Sequence, residues 1–283
     1  MAKYIPDVKT QRWVIISQAR KDRPIDEGPP GTVQKHVCPF CTGNENVTPP
    51  EVFRIGGGEK DKSGWLVRVV PNKYPITDTH EVIIHSPDHD HDIEELPLEQ
   101  VIKIISAYRE RYQVHAGDGQ VLIFNNHGMH AGASLNHPHS QLVVVPKQIN
   151  LDALSREPIA NVIVENDHFI TYCPEFSQWP FEVWIIPKEK GQKFGDIKDE
   201  MLSHLAGVLQ DAINRIAKSF HDENLNYIHK GIPFGYNYYI SHASEWFIRI
   251  IPRFIHRAGF ELGTGLNVNI LDPAEAAEIL KKL

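Results

Sequence analysis

One succession of strand and helix signals occurs twice along this chain, and it limits the fold more than any other feature. In the first copy, apolar runs at 65–70 and 81–85 read as strands. Leu98, Val101, Ile105, Tyr108 and Tyr112 then recur at helical spacing within 97–114, and β character returns at 120–125 and 141–146. In the second copy, strands at 168–172 and 181–187 precede a helix from Glu200 to about Phe220 and strands at 236–240 and 246–252. Local sequence follows the same pairing: Phe181-Glu-Val-Trp-Ile-Ile-Pro-Lys188 answers His80-Glu-Val-Ile-Ile-His-Ser-Pro87, and Trp246-Phe-Ile-Arg-Ile-Ile-Pro-Arg253 answers Ser140-Gln-Leu-Val-Val-Val-Pro-Lys147. A unit used twice predicts an α+β fold of two tandem domains, 1–150 and 151–283, each an antiparallel sheet with one main helix, forming a pseudo-symmetric pair. A doubly wound parallel sheet is disfavoured, since no Gly-x-Gly-x-x-Gly turn joins a strand to a helix.

Outside the repeat, the opening third is rich in Pro and Gly (Pro24, Gly28-Pro-Pro-Gly31, Pro49-Pro50, Gly56-Gly-Gly58) and reads as loops around short strands that need an external staple. At the other end, Asp272-Pro-Ala-Glu-Ala-Ala-Glu-Ile-Leu opens with an Asp cap and a Pro at the first helical position, so a terminal helix is expected. The charge balance, 29 − 36 = −7 with no basic run, argues against a nucleic-acid partner but leaves room for a phosphate held by local arginines. No stretch approaches the roughly 20 apolar residues that span a bilayer, and the N-terminus lacks a signal-peptide core, so a cytoplasmic protein with no membrane partner is expected. Three cysteines make no disulfide framework. Cys173 stands alone and reads as a buried small residue.

The sharpest local feature is Asn136-His-Pro-His-Ser-Gln141, which follows the small-residue turn Gly128-Met-His-Ala-Gly-Ala-Ser134 and leads directly into an apolar strand. Residues two apart in extended chain share a face, so His137, His139 and Gln141 line one side. Imidazole is neutral near pH 7, needs no base to activate it, and forms a labile phosphoramidate when it attacks an α-phosphorus. A neutral amide such as Gln141 can stabilise the charge that develops on the phosphoryl oxygens. The second copy lacks the pair: aligning Pro146 with Pro252 puts Glu245 at the place of His139 and Ala243 at that of His137.

These residues resemble galactose-1-phosphate uridylyltransferase, the double-domain branch of the histidine triad superfamily, in which the second histidine of His-Pro-His-x-Gln is the active one. The likeness covers most of the chain. It includes Arg12-Trp-Val-Ile-Ile-Ser-Gln-Ala-Arg-Lys-Asp-Arg-Pro24, Cys38-Pro-Phe-Cys-Thr-Gly-Asn44, Val70-Pro-Asn-Lys-Tyr-Pro75, Ser86-Pro-Asp-His89 and Trp179-Pro-Phe-Glu-Val-Trp-Ile-Ile-Pro-Lys188. The resemblance implies two histidine-triad-like domains, the first catalytic with a metal knuckle and the second without the catalytic histidines. It further implies that His139 carries UMP from UDP-glucose to galactose 1-phosphate in a ping-pong reaction. Gln141 would contact the transferred group, Asn72 and Asn126 the nucleotide or its phosphates, Ser134 the second phosphate, and Arg20 and Arg23 would lie near the substrate phosphates; selection of the base falls to pocket shape and residues such as Phe40 and its neighbours, which sequence does not place.

Cys38-x-x-Cys41 fits one edge of a tetrahedral zinc site; a redox pair is the alternative, disfavoured by Pro39, Gly43 and Pro49-Pro50 nearby. The resemblance supplies His89 and His137 as the other ligands of one Zn2+ site, with iron as the other candidate ion; His85 and His91 flank His89, and spacing does not choose among the three. Relatives with a second metal carry a His-x-His where this chain has Trp246-Phe-Ile-Arg249, so no second site is expected. Ser140 replaces the glycine common in the motif of the galactose enzymes, and Ala258-Gly-Phe-Glu-Leu-Gly-Thr-Gly265 is similar to ADP-glucose phosphorylases, so an adenylyl donor with phosphate as acceptor stays open. A histidine-triad hydrolase and a non-catalytic nucleotide-binding protein are further readings. The resemblance also implies a homodimer, with 257–269 matching the stretch that completes a neighbour's site.

Overall fold

A computed structural model describes residues 2–8, 12–23, 37–151, 154–223, 225 and 232–283. The expected loops at Pro24 and at 28–31 lie outside the described residues.

The first copy contributes β3 (Phe53–Gly56), β4 (Trp65–Pro71), β5 (His80–Ile84), α1 (Leu98–His115), β6 (Gln120–His127) and β7 (His139–Val145). The second contributes β8 (Val162–Glu165), β9 (Phe169–Tyr172), β10 (Val183–Pro187), α2 (Asp199–His221), β11 (Tyr236–Ile240) and β12 (Ile248–Pro252). Ahead of these, β1 (Lys3–Pro6) and β2 (Trp13–Ile16) form a separate hairpin. The short α3 (Gly259–Thr264) and α4 (Pro273–Lys281) close the chain, and the Asp272 carboxylate accepts from the Ala274 backbone N–H as the cap expected there.

All ten strands from β3 onward join in one antiparallel sheet of order β3-β4-β5-β7-β6-β11-β12-β10-β9-β8. Read inward from either edge, the two copies run in the same order, so the repeat seen in sequence is a repeat in space. The seam is β6 against β11, with His127 opposite Tyr236 and Ile123 opposite Ile240. This pairing lengthens β6 beyond the expected end at 125, because hydrogen-bond partners for its last residues come from the other copy. Conversely, β10 starts at Val183 rather than 181, since Phe181 sits at φ 57° and breaks the extended backbone. β12 starts at Ile248 rather than 246, after a turn closed by the Ser241 N–H donating to the Phe247 carbonyl.

Both long helices cover one face of the sheet. On α2, Leu205, Leu209, Ile213 and Ile216 are fully buried, as are Val101, Ile104, Ile105 and Tyr108 on α1, against Val67, Val69, Ile83, Leu142 and Ile248 of the strands. Burying side chains of this size stabilises the fold by roughly 1.5–3 kcal/mol each before the entropy of ordering them is subtracted. Because strand side chains alternate, the residues between these point to the opposite face. In the first copy, that face carries His139 and Gln141. Among the described residues, no helix is long and apolar enough to cross a membrane.

Candidate active site

β5 and β7 pair antiparallel with Ile84 opposite His139 and Val82 opposite Gln141. On β7, Leu142 and Val144 enter the core under the helices, which turns His139, Gln141 and Val143 to the free face. There, residues of β4, β5, β7 and the preceding loops enclose an open cleft of about 730 Å³ lined by Phe40, Asn72, Ser134, His139 and Gln141 among others. The Phe40 ring packs edge-on against His139 at 5.2 Å, making one apolar wall.

His139 is 7% exposed, and its Nδ1 donates to the His137 carbonyl at 2.8 Å. With Nδ1 holding the proton, Nε2 keeps its lone pair. Burial holds the ring at a pKa of about 4, against the partial offset of that hydrogen bond, so at neutral pH it is uncharged.

Gln141 contacts a residue that the sequence did not single out. His80, 4% exposed on the same face of β5, lies with Nε2 3.0 Å from Gln141 Oε1, while its Nδ1 accepts from the Ile76 backbone N–H at 2.9 Å. Burial, with the nearby guanidinium charges of Arg20 and Arg23, lowers its pKa to about 4, although its bond to Gln141 favours protonation. The alternation His80, Val82, Ile84 was a signal that His80 shares a face with apolar neighbours, but nothing in sequence gave the register that sets it beside Gln141. Thr48, Lys73 and Tyr74 also line the cleft and were not anticipated.

Of the remaining anticipated residues, Arg23, Asn72 and Ser134 line the cleft, whereas Arg20 and Asn126 do not. Arg23 reaches across 111 positions to donate from Nε and Nη2 to Ser134 Oγ at 3.0 and 2.6 Å, bordering the cleft with two groups suited to a phosphate. Arg20 donates to the Tyr74 carbonyl at 3.2 Å, at the same rim. The Asn72 oxygen is held by the Tyr74 N–H at 2.8 Å. Asn126 is not among the residues lining the cleft: it lies at the seam, where its oxygen accepts from Asn237 Nδ2 at 2.8 Å.

The thiols of Cys38 and Cys41 meet His89 and His137 in a cluster whose ligand atoms all lie within 4.8 Å of one another. Cys41 Sγ is 3.2 Å from His89 Nδ1, and His137 Nδ1 is 3.7 Å from both sulfurs. Ligand bonds of about 2.0–2.3 Å to one tetrahedral zinc ion set such edges at roughly 3.5 Å, so the donor set fits a metal. The second nitrogen of His137 donates to the Ser86 carbonyl at 2.9 Å, which leaves Nδ1 free to ligate. Burial pushes the Cys38 thiol up to about 11, a cost that a bound cation removes by stabilising the thiolate. Of the three neighbouring histidines, only His89 joins this cluster. His85 is buried on the helix side, 2.8 Å from Asp92 and from Ser140 Oγ, and His91 is exposed and paired with Asp88.

A paired sheet with a His-x-His strand feeding a cleft defines the class as the double-domain histidine triad fold. Residues 74–145 match the family model for the N-terminal domain of galactose-1-phosphate uridyl transferase. Over 98% of its length the chain is 30% identical to the ADP-glucose phosphorylase of Arabidopsis thaliana, covering 92% of that protein. Over 96% of its length it is 26% identical to the galactose-1-phosphate uridylyltransferase of Thermotoga maritima, covering 96% of it. The crystal structure of the Arabidopsis thaliana phosphorylase with bound ADP-glucose aligns over 100% of this chain and 99% of that one, at TM-score 0.73 and 27% identity. The chain belongs to the galactose-1-phosphate uridylyltransferase family.

Proposed function

We propose that this protein transfers a nucleoside monophosphate from a nucleotide sugar to a phosphate-bearing acceptor, with His139 as the covalent carrier. The observation that supports this best is the tautomer of His139: Nδ1–H is tied to the His137 carbonyl, and Nε2 is left as a neutral nucleophile in a cleft walled by Gln141, Ser134 and Arg23. In the first step Nε2 bonds to the α-phosphorus, the bond from that phosphorus to the bridging oxygen breaks, and a sugar 1-phosphate leaves. The ring then carries Nδ1–H and the nucleotidyl group together, a cationic phosphoramidate that is a good leaving group. An acceptor phosphate oxygen next attacks the same phosphorus and the nitrogen–phosphorus bond breaks, returning His139 to its neutral form. Gln141 donates to the phosphoryl oxygens throughout, and Arg23 with Ser134 holds the second phosphate.

Two donor–acceptor pairs fit this scheme. One is UDP-glucose with galactose 1-phosphate. The other is ADP-glucose with inorganic phosphate, favoured by the 30% identity to the Arabidopsis thaliana ADP-glucose phosphorylase along nearly the whole chain. A zinc ion on Cys38, Cys41, His89 and His137 would tie the knuckle to the catalytic strand and fix the His137 carbonyl on which His139 leans. Exposed Phe260, Leu262, Leu266 and Val268 give the C-terminal stretch the apolar surface of a homodimer contact.

Intact-protein mass after brief incubation with UDP-glucose or ADP-glucose, without acceptor, tests the reading. A uridylyl or adenylyl adduct on the wild type that is absent from His139→Ala identifies carrier and base together. No adduct from either donor, in protein containing one metal ion per chain, would reject it.

A further inference from the structure

His80 is buried on the active face, touches no residue of the metal cluster, and has no part in the transfer steps above. Its surroundings nevertheless leave it one arrangement. The Ile76 backbone N–H points at Nδ1 from 2.9 Å, so that nitrogen has to be the acceptor, and in a neutral ring the proton then sits on Nε2. That N–H faces Gln141 at 3.0 Å, and only an amide oxygen can accept it. The amide nitrogen of Asn72, 3.2 Å from the same ring nitrogen, is a second donor facing a donor; it makes no bond there, and its own oxygen is held by Tyr74.

We infer that His80 is a positioning residue for the transfer: its Nε2–H holds the carbonyl oxygen of Gln141 so that the Gln141 NH2 group faces the phosphoryl oxygens. The inference rests on the reading of His139 and Gln141 as a nucleotidyl-transfer site. The two ends of a carboxamide have nearly the same shape and opposite polarity. An amide free to rotate would present its oxygen to phosphoryl oxygens part of the time, turning a stabilising donor into a repulsive acceptor at the moment charge develops. The backbone supplies the reference for this choice, because an N–H at residue 76 cannot change its polarity. A chain of fixed hydrogen bonds, Ile76 to His80 to Gln141, thus carries that polarity to the reacting group.

Two variants separate positioning from packing. His80→Asn keeps an acceptor near the position of Nδ1 for the Ile76 N–H but cannot reach Gln141, whereas His80→Gln keeps a donor near the position of Nε2. His80→Asn is expected to slow formation of the nucleotidyl adduct by about 10- to 100-fold, somewhat less than outright removal of an oxyanion donor. KM should change little, and His80→Gln should recover most of the rate. In a Gln141→Ala background, His80→Asn should cost nothing further. An undiminished loss in that background, or equal defects for Asn and Gln, would overturn the inference. Nitrogen-15 NMR of the imidazoles provides a readout that needs no activity: the neutral Nε2–H tautomer of His80 at pH 7 is expected, and finding Nδ1–H or a charged ring would overturn the inference even if neither nucleotide sugar forms an adduct.

Discussion

The two copies of the unit share strand order and helix placement, yet their free faces have opposite fates. In the first copy that face opens into the cleft of His139 and Gln141. In the second, the corresponding face is filled by Tyr172, Trp184, Ile186 and Phe247, with the Trp184 and Phe247 rings stacked at 4.2 Å. Arg249, on β12, is locked to Glu182 by contacts of 2.7 and 3.0 Å, and the Trp184 indole N–H donates to the same carboxylate. Glu245, aligned with His139, lies outside the strand and pairs with Arg156. One backbone therefore supports a polar cleft on one side of the seam and a packed, ion-paired core on the other. What differs is whether the side chains on alternate strand positions leave room for a ligand, and whether preceding loops bring in Arg23, Phe40 and Asn72.

The sharpest way to break this comparison is to remove the two aligned side chains. His139→Ala should abolish the adduct and lower turnover by about 10⁴-fold or more, as losses of a covalent nucleophile do, while Glu245→Ala should leave turnover within about 3-fold. Steady-state kinetics on both variants checks this, and a comparable loss in Glu245→Ala would show that the second copy takes part in the chemistry.

A smaller effect tests the packed side. Arg249→Met strands the buried Glu182 carboxylate and should cost about 3–5 kcal/mol of stability. The double variant Arg249→Met with Glu182→Leu should recover most of that, since exchanging a whole buried pair for apolar groups is often close to neutral. Urea denaturation measures both. Should the double variant be as unstable as the single, Glu182 has a role beyond neutralising Arg249.

The smallest effect concerns His80, whose pKa of about 4 lies below the ordinary value of 6.5. Between those two pH values the unfolded chain takes up a proton that the folded chain refuses. Stability therefore falls as pH drops through that window, by roughly 1.4 kcal/mol per pH unit for this residue. His80→Gln removes only this contribution, so its stability should decline less steeply than wild type between pH 6.5 and 5. Parallel slopes would mean that His80 is charged in the folded protein.

Sequence alone determined the repeat, the number of main helices, the face shared by His139 and Gln141, and the absence of the histidine pair from the second copy. These follow from periodicity and residue chemistry, which are local and survive without coordinates. It also indicated Cys38 and Cys41 as a ligand pair, because two residues between thiols suit a tight turn around one ion.

Only the tertiary structure decided the rest. Periodicity gives the face of a strand but neither its partner nor its register, which depend on hydrogen bonds between residues far apart. The pairing of β5 with β7 brings His80 to Gln141 across 61 positions, and β6 with β11 fuses two sheets into one. Among His85, His89 and His91, the choice was made by which ring the turn after β5 carries to the sulfurs and which it sends under α1 or into solvent. Asn126, expected at the nucleotide from the family resemblance, stands at the seam with its oxygen accepting from Asn237 Nδ2, a partner supplied by the second copy that no local pattern encodes.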